Sequence, residues 1–284
     1  MKFFRYNVNY DFLRKITRYH SKIDVNSFHK KTLGDFFFFG VSCQPTEADY
    51  FLVPLPIILP PEHSRVYDLW IQDYLSTLEH LNEKHIFFLM GDGCIIPDPL
   101  KKYIVFQTSC HKDNSSYSMY YNSPLDKIEL KDIHQAKYKF CFVGNCKVNP
   151  LRQRIKEIFH DRKDCYFEEA DFHFMNEQQQ EKARIRWQEV LNDSQFVLCP
   201  KGRGLNSIRF FEALAYQRIP ILISDDLKLP LENIIDYDKY CVRLKENEMQ
   251  FDLDIDIDNY QTGIYEKYFV DIYRFIERNL YKIF

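Results

Sequence analysis

Short apolar runs, each bounded by Gly, Pro or charged residues, alternate along this chain with stretches in which apolar residues recur every three or four positions. The runs Asp35–Gly40, Tyr50–Val53, His85–Met90 and Tyr103–Phe106 have the length and aromatic content of buried strands. Between the second and third, Val66, Leu69, Trp70, Tyr74, Leu75, Leu78 and Leu81 share one face of a helix over 66–81. Strands that are apolar throughout, rather than at every second position, are covered on both faces. That pattern belongs to parallel sheets with helical crossovers.

A polar stretch, 109–121, carries serines, His111 and Asn114 without periodicity, and Asn122 and Pro124 continue its character. It reads as an exposed loop. A second α/β series follows: a strand over Tyr138–Val143 ending at Gly144-Asn145, a basic helix Pro150–Phe159, and a short strand Cys165–Phe167. Then come a charged helix Glu177–Leu191, a strand Gln195–Cys199, a helix Ser207–Tyr216 and a strand Ile219–Ser224. The expected fold class is α/β, with two Rossmann-like lobes facing a cleft. Their expected bounds are 1–135 and 136–260, and a C-terminal helix within 261–284 packs back on the first lobe. A chain of 284 residues suits this division, because single cores stop growing at roughly 250–300 residues.

Charge narrows the ligand class. With 38 basic and 41 acidic residues the net charge is −3, so no bulk field recommends nucleic acid, and any anion site must be local. Arg5, Asn7 and Asp11 break up the N-terminus before a signal-peptide core forms. The apolar stretches Phe36–Val41 and Phe51–Leu59 are too short to span a membrane, and Pro54, Pro56 and Pro60 interrupt the second. Eight cysteines occur without a C-x-x-C pair, which argues against a structural zinc site and for reduced, buried thiols in a cytoplasmic protein. The run Phe251–Asp258 contains D-x-D spacings, but its strict alternation reads as an edge strand or linker with one acidic face rather than a metal site.

The most informative segment is 195–231. There a strand leads into the basic loop Lys201-Gly202-Arg203-Gly204, and Asn206 or Ser207 can cap the next helix while its open N–H groups face an anion. Two cations, two glycines and a helix N-terminus make a phosphate site, although neither the Walker A nor the G-x-G-x-x-G spacing is present. One turn on, Arg209 and Glu212 share a helix face. A guanidinium suits a diphosphate and a carboxylate suits ribose hydroxyls, whereas a surface ion pair at i, i+3 explains the same spacing.

Here the chain resembles the exostosin-like glycosyltransferases, in four linked pieces: Leu198–Gly202, Ser207–Leu214, Arg218–Asp225 and Leu229–Leu231. Weaker echoes are Asp49–Pro54, and Phe142–Asn145 followed by Arg152 and Arg154. The chain departs from the family at Tyr216-Gln217-Arg218, where a Gly-rich turn is usual, and the family's first-lobe turn corresponds loosely to Gly91-Asp92-Gly93. The resemblance implies a GT-B architecture and inverting transfer from a nucleoside-diphosphate sugar, with uridine diphosphate as carrier and a glycan or glycoside as acceptor. It implies no metal and no cofactor beyond the donor. Lys201, Gly202, Arg203, Asn206, Ser207, Arg209, Glu212, Arg152, Arg154 and Asp225 are then donor-side candidates.

Inverting displacement needs a base for the acceptor hydroxyl. Asp92, at the end of a strand, is one candidate, a turn-forming Asp between glycines being the plain alternative; Glu62 and His63 are rivals. Tyr117, Tyr120 and Tyr121 are candidates for stacking on an acceptor sugar. Two other readings stand beside the transferase: a non-catalytic glycan- or nucleotide-binding subunit, and a hydrolase using Asp92 with His63. Family relatives in secretory compartments carry an anchor and stem, which this segment does not display, so a cytoplasmic enzyme is expected.

Overall fold

The computed structural model describes residues 3–6, 43–59, 65–119, 128–171, 175–248 and 253–269. The expected strand at Asp35–Gly40, the rival bases Glu62 and His63, the tyrosines 120 and 121, and the final stretch beyond Phe269 lie outside them. The described residues form two compact units: those up to Met119 together with Lys228–Pro230, and those of 120–227 and 231–270.

The first unit is a parallel five-stranded sheet in sequential order: β1 (Phe3–Arg5), β2 (Tyr50–Leu59), β3 (His85–Gly91), β4 (Ile104–Gln107) and β5 (Tyr117–Ser118). The ladder between β2 and β3 shifts register between Leu52 and Pro56, where prolines cannot donate to it. Helix α1 (Arg65–Ser76) connects these strands. Its Ile71, Tyr74 and Leu75 pack on Val53, Phe87, Leu89 and Val105, while Ile86, Phe88 and Phe106 face the other side with Met119. Consecutive residues of β3 are thus buried on opposite faces, as its unbroken apolar run requires.

The expectation of an exposed loop at 109–121 is corrected in part: of the described residues 109–119, Lys112, Asp113 and Ser115 are exposed as expected, and others are not. Ser109, Cys110, Ser116, Ser118 and Met119 are buried, and the segment contributes β5. Several of its buried polar atoms have partners within the unit. Gln107 donates to the carbonyls of Cys94 and Ser109, both at 3.2 Å, and accepts from Ser116 Oγ at 2.6 Å; Lys228 Nζ donates to Ser116 O at 3.0 Å. A polar run is solvated only where such partners are missing.

The second unit is a five-stranded parallel sheet in the order β7-β6-β8-β9-β10, from β6 (Tyr138–Gly144), β7 (Cys165–Glu169), β8 (Ser194–Pro200), β9 (Ile219–Ile223) and β10 (Val242–Leu244). From β6 the chain steps outward to β7, then returns to the other side of β6 with β8, so the winding reverses between β6 and β8. The crevice at the carboxyl ends of two such strands is where open α/β sheets bind ligands. Helix α2 (Pro150–Phe159) covers one face through Leu151, Ile155 and Phe159 on Phe140, Phe142, Phe196 and Ile221. Helices α3 (Glu177–Asn192) and α4 (Ile208–Ala215) complete the crossovers.

After α4 the chain turns at Gln217, whose φ of 55° is left-handed. The buried Arg218 follows, with Nη2 donating to Lys131 O at 2.5 Å and Asn192 Oδ1 at 2.9 Å. Residues 253–259 keep the alternation seen in the sequence without pairing as a strand: Leu253, Ile255 and Ile257 pack on the core, and Asp254, Asp256 and Asp258 are exposed. A short helix α5 (Ile264–Tyr268) ends the described chain. All eight cysteines are free thiols, six of them buried, and burial pushes Cys141 up to about 12.

Candidate functional site

Asn145 after β6, Lys201–Ser207 after β8 and Ser224-Asp225 after β9 lie at the carboxyl edge of the second sheet, flanking the point where its winding reverses. The loop after β8 is fixed from both sides. Lys201 N donates to Ile223 O at 3.1 Å, Gly202 N to Asn206 O at 3.2 Å, and Ser224 Oγ to Leu205 O at 3.1 Å. From the N-cap of α2, Asn149 Nδ2 donates to Lys201 O (2.9 Å) and Gly202 O (2.7 Å) while its Oδ1 caps Arg152 N (3.0 Å). Arg152 sends Nε to Lys201 O (2.9 Å), Nη2 to Pro200 O (3.2 Å) and Nη1 to Asn145 O (3.3 Å). Arg152 is therefore beside the loop, with its guanidinium committed to carbonyls. Arg154, two residues on, is exposed on the helix.

Gly202 is not demanded by the loop's own geometry. Its φ is not left-handed, and an added Cβ would meet only Arg152 Nη2 at 3.5 Å and Asn206 O at 3.6 Å, ordinary contacts. Arg203 is exposed. Lys201 Nζ is paired with Glu246 Oε1 at 2.6 Å. Glu246 also joins Asp225: its backbone N donates to Asp225 Oδ1 (2.9 Å), and Asp225 N donates to Glu246 Oε1 (3.3 Å). Ser207 occupies the N-cap position of α4 but makes no capping bond; its buried hydroxyl has no hydrogen-bond partner among the described residues.

Arg209 and Glu212 do share a helix face and do pair, Nη1 to Oε2 at 2.6 Å, but this is no surface pair: the side chains are 15% and 4% exposed. The same Glu212 oxygen accepts the indole N–H of Trp187 at 2.8 Å, and Arg209 Nε reaches Val143 O at 3.2 Å, at the carboxyl end of β6. Asp92 stands in the first unit, exposed, directly after β3 and next to Gly91, whose φ of 101° makes the turn. Tyr117 packs its ring on Phe106 at 5.2 Å. Among the described residues no group of three His, Cys, Asp or Glu side chains is placed to hold a metal.

The sequence reading missed Asn149, Trp187 and Glu246. Asn149 carried a usable signal, an Asn directly before a helix-starting Pro150. The other two meet their partners only through the tertiary fold.

The model of the Exostosin GT47 domain matches residues 109–255, just over half of the chain and all of this site. The chain belongs to the exostosin GT47 family. GT47 is a family of glycosyltransferases of the GT-B class. The chain is 34% identical over 113 residues to Exostosin-1b of Danio rerio, 39% over 108 residues to Exostosin-1a of the same species, and 29% over 97 residues to Exostosin-1 of Bos taurus. These stretches are 40%, 38% and 34% of this chain and 13%, 13% and 11% of the relatives, so the chain spans only a small part of their length.

The expected cytoplasmic location is overturned by these relatives, because exostosins are Golgi-lumenal type II membrane enzymes. Among the described residues no helix is long and apolar enough to cross a membrane.

Proposed function

We propose that the Lys201–Ser207 loop, the N-terminus of α4 and Arg209 hold the diphosphate of a nucleotide sugar, with uridine diphosphate (UDP) as carrier, and that the chain transfers the sugar to a glycan acceptor with inversion and without a metal. The observation that carries this reading is positional. Within the GT47 match, two strand ends at a reversal of winding bring together a side-chain-free Gly202, the unpartnered buried hydroxyl of Ser207, a helix N-terminus and an anchored arginine.

In the displacement, a base takes the proton of the acceptor hydroxyl as its oxygen attacks the anomeric carbon. The bond from that carbon to the diphosphate oxygen breaks on the opposite face. The departing diphosphate keeps the electron pair, and Arg209, Lys201, Arg203 and the α4 N–H groups neutralise the charge it gathers, the task a metal performs elsewhere. Asp92 is the base in this reading, the carboxylate at the strand end of the first unit.

Calorimetric titration with UDP tests the donor half. Arg209→Ala is expected to weaken UDP on the order of a hundredfold, the worth of a bidentate hydrogen bond to a charged group, in a protein whose fold is unchanged. Unchanged affinity refutes the site. Transfer that persists in excess chelator supports the metal-free step, and its loss overturns that step alone.

A further inference from the structure

We propose that Trp187 is a positioning residue of the donor site, fixing the guanidinium of Arg209 through Glu212 and through its own ring; this rests on the donor reading above. Trp187 lies on α3, outside every motif that carries the family resemblance, and is 2% exposed. A tryptophan buried on an otherwise charged helix is ordinarily core. Its polar atom, however, is aimed at a carboxylate: Nε1–H donates to Glu212 Oε2 at 2.8 Å, the same oxygen that takes Arg209 Nη1 at 2.6 Å. The Arg209 guanidinium also lies over the Trp187 ring at 4.5 Å, and its Nε is tied to Val143 O at 3.2 Å.

A carboxylate, an aromatic face and a strand-end carbonyl thus hold one cation in a single orientation before any ligand arrives. That removes the ordering cost from binding and aims the charge where leaving-group charge develops. In this arrangement Glu212, almost fully buried and turned toward Arg209 and Trp187, acts on the donor through Arg209 rather than by touching the ribose. The indole N–H keeps the shared oxygen in place, because a carboxylate oxygen with two donors is pinned where one with a single donor swings.

Trp187→Phe retains a ring under Arg209 and deletes the N–H. The experiment is a double-mutant cycle read by calorimetric titration with UDP, on wild type, Trp187→Phe, Arg209→Ala and the double variant, with circular dichroism to confirm folding. Trp187→Phe is expected to weaken UDP about tenfold, the worth of one hydrogen bond to a charged group, and to cause no further loss once Arg209 is alanine. A merely structural tryptophan would lower affinity equally in both backgrounds. That additive result, or an unchanged affinity for Trp187→Phe, overturns the inference and leaves the donor site standing. Wild type that binds neither UDP nor inorganic pyrophosphate removes the donor site and the inference with it. If Trp187→Phe does not fold, Trp187→Tyr, which also keeps a ring and removes the indole N–H, takes its place in the cycle, with the same two outcomes.

Discussion

Glu246 makes a prediction whose sign is opposite to that of ordinary active-site substitution. Its carboxylate stands 2.6 Å from Lys201 Nζ, with the two side chains 23% and 28% exposed. A diphosphate that draws on Lys201 must share that ammonium with Glu246 and lie within roughly 5 Å of a like charge. At that distance one pair of unit charges costs about 3 kcal/mol at an effective dielectric of 20 and about 0.8 kcal/mol in water. Side chains about a quarter exposed fall between these limits, so about 1–2 kcal/mol opposes the ligand. Glu246→Gln keeps an oxygen for the Asp225 N–H and removes the charge. UDP is then expected to bind roughly 5- to 30-fold more tightly than to wild type, while stability falls by about 1 kcal/mol or less from the lost ion pair. Calorimetric titration at low and high salt reads both the gain and its screening, since the difference between the proteins should shrink as ionic strength rises. Equal or weaker UDP binding by Glu246→Gln would refute the reasoning, for it would mean that Lys201 does not meet the diphosphate.

The remaining predictions concern the turn after α4, the first sheet and the base. Gln217 holds a left-handed φ of 55° where its side chain offers only an exposed 3.3 Å bond to Glu266, so Gln217→Gly should raise the thermal midpoint by the equivalent of about 0.5–1 kcal/mol. A lowered midpoint contradicts this. His85 is fully buried, stacked on Phe51 at 4.7 Å with Nε2 2.9 Å from Tyr6 Oη, and burial lowers its pKa below the ordinary 6.5. The unfolded chain therefore binds the proton more readily, and the stability that neutral His85 contributes is present above pH 6.5 and lost as pH falls below it. Urea unfolding at about pH 7.5 and 5.5 should show a larger loss for wild type than for His85→Phe, and equal losses refute it. Asp92→Asn should leave UDP affinity intact and lower the transfer rate by on the order of a hundredfold or more, an unchanged rate removing Asp92 as base.

Local pattern carried the strands and helices of both units well, because a run such as His85–Met90 is apolar for a local reason, burial on both faces, and β3 follows it to Gly91. The basic helix over 150–159 is found with those bounds. Pattern failed within 109–119, where Ser109, Ser116 and Ser118 read as solvated and turned out buried near Gln107, while Lys112, Asp113 and Ser115 are exposed. Polarity alone does not separate a wet loop from a polar network whose partners, such as Lys228, arrive from 112 residues away. The alternation at Leu253–Asp258 was correct in its faces, though these residues do not pair as a strand with any described strand.

The sequence by itself determined the chemistry of the proposed site in outline: a basic glycine loop after a strand, a helix behind it, and an arginine and a glutamate one turn in, all within a dozen consecutive residues. Such features rest on neighbours in the chain and survive without a fold. Which charges remain for a ligand was decided only by the tertiary structure. Arg152 turns to carbonyls 48 and 49 residues away, Glu212 is enclosed by a tryptophan 25 residues upstream, and Lys201 faces Glu246 across the sheet edge. The physical reason is that a charged side chain takes the partner that lies within about 3 Å once the strands are assembled, and sequence distance has no bearing on that choice.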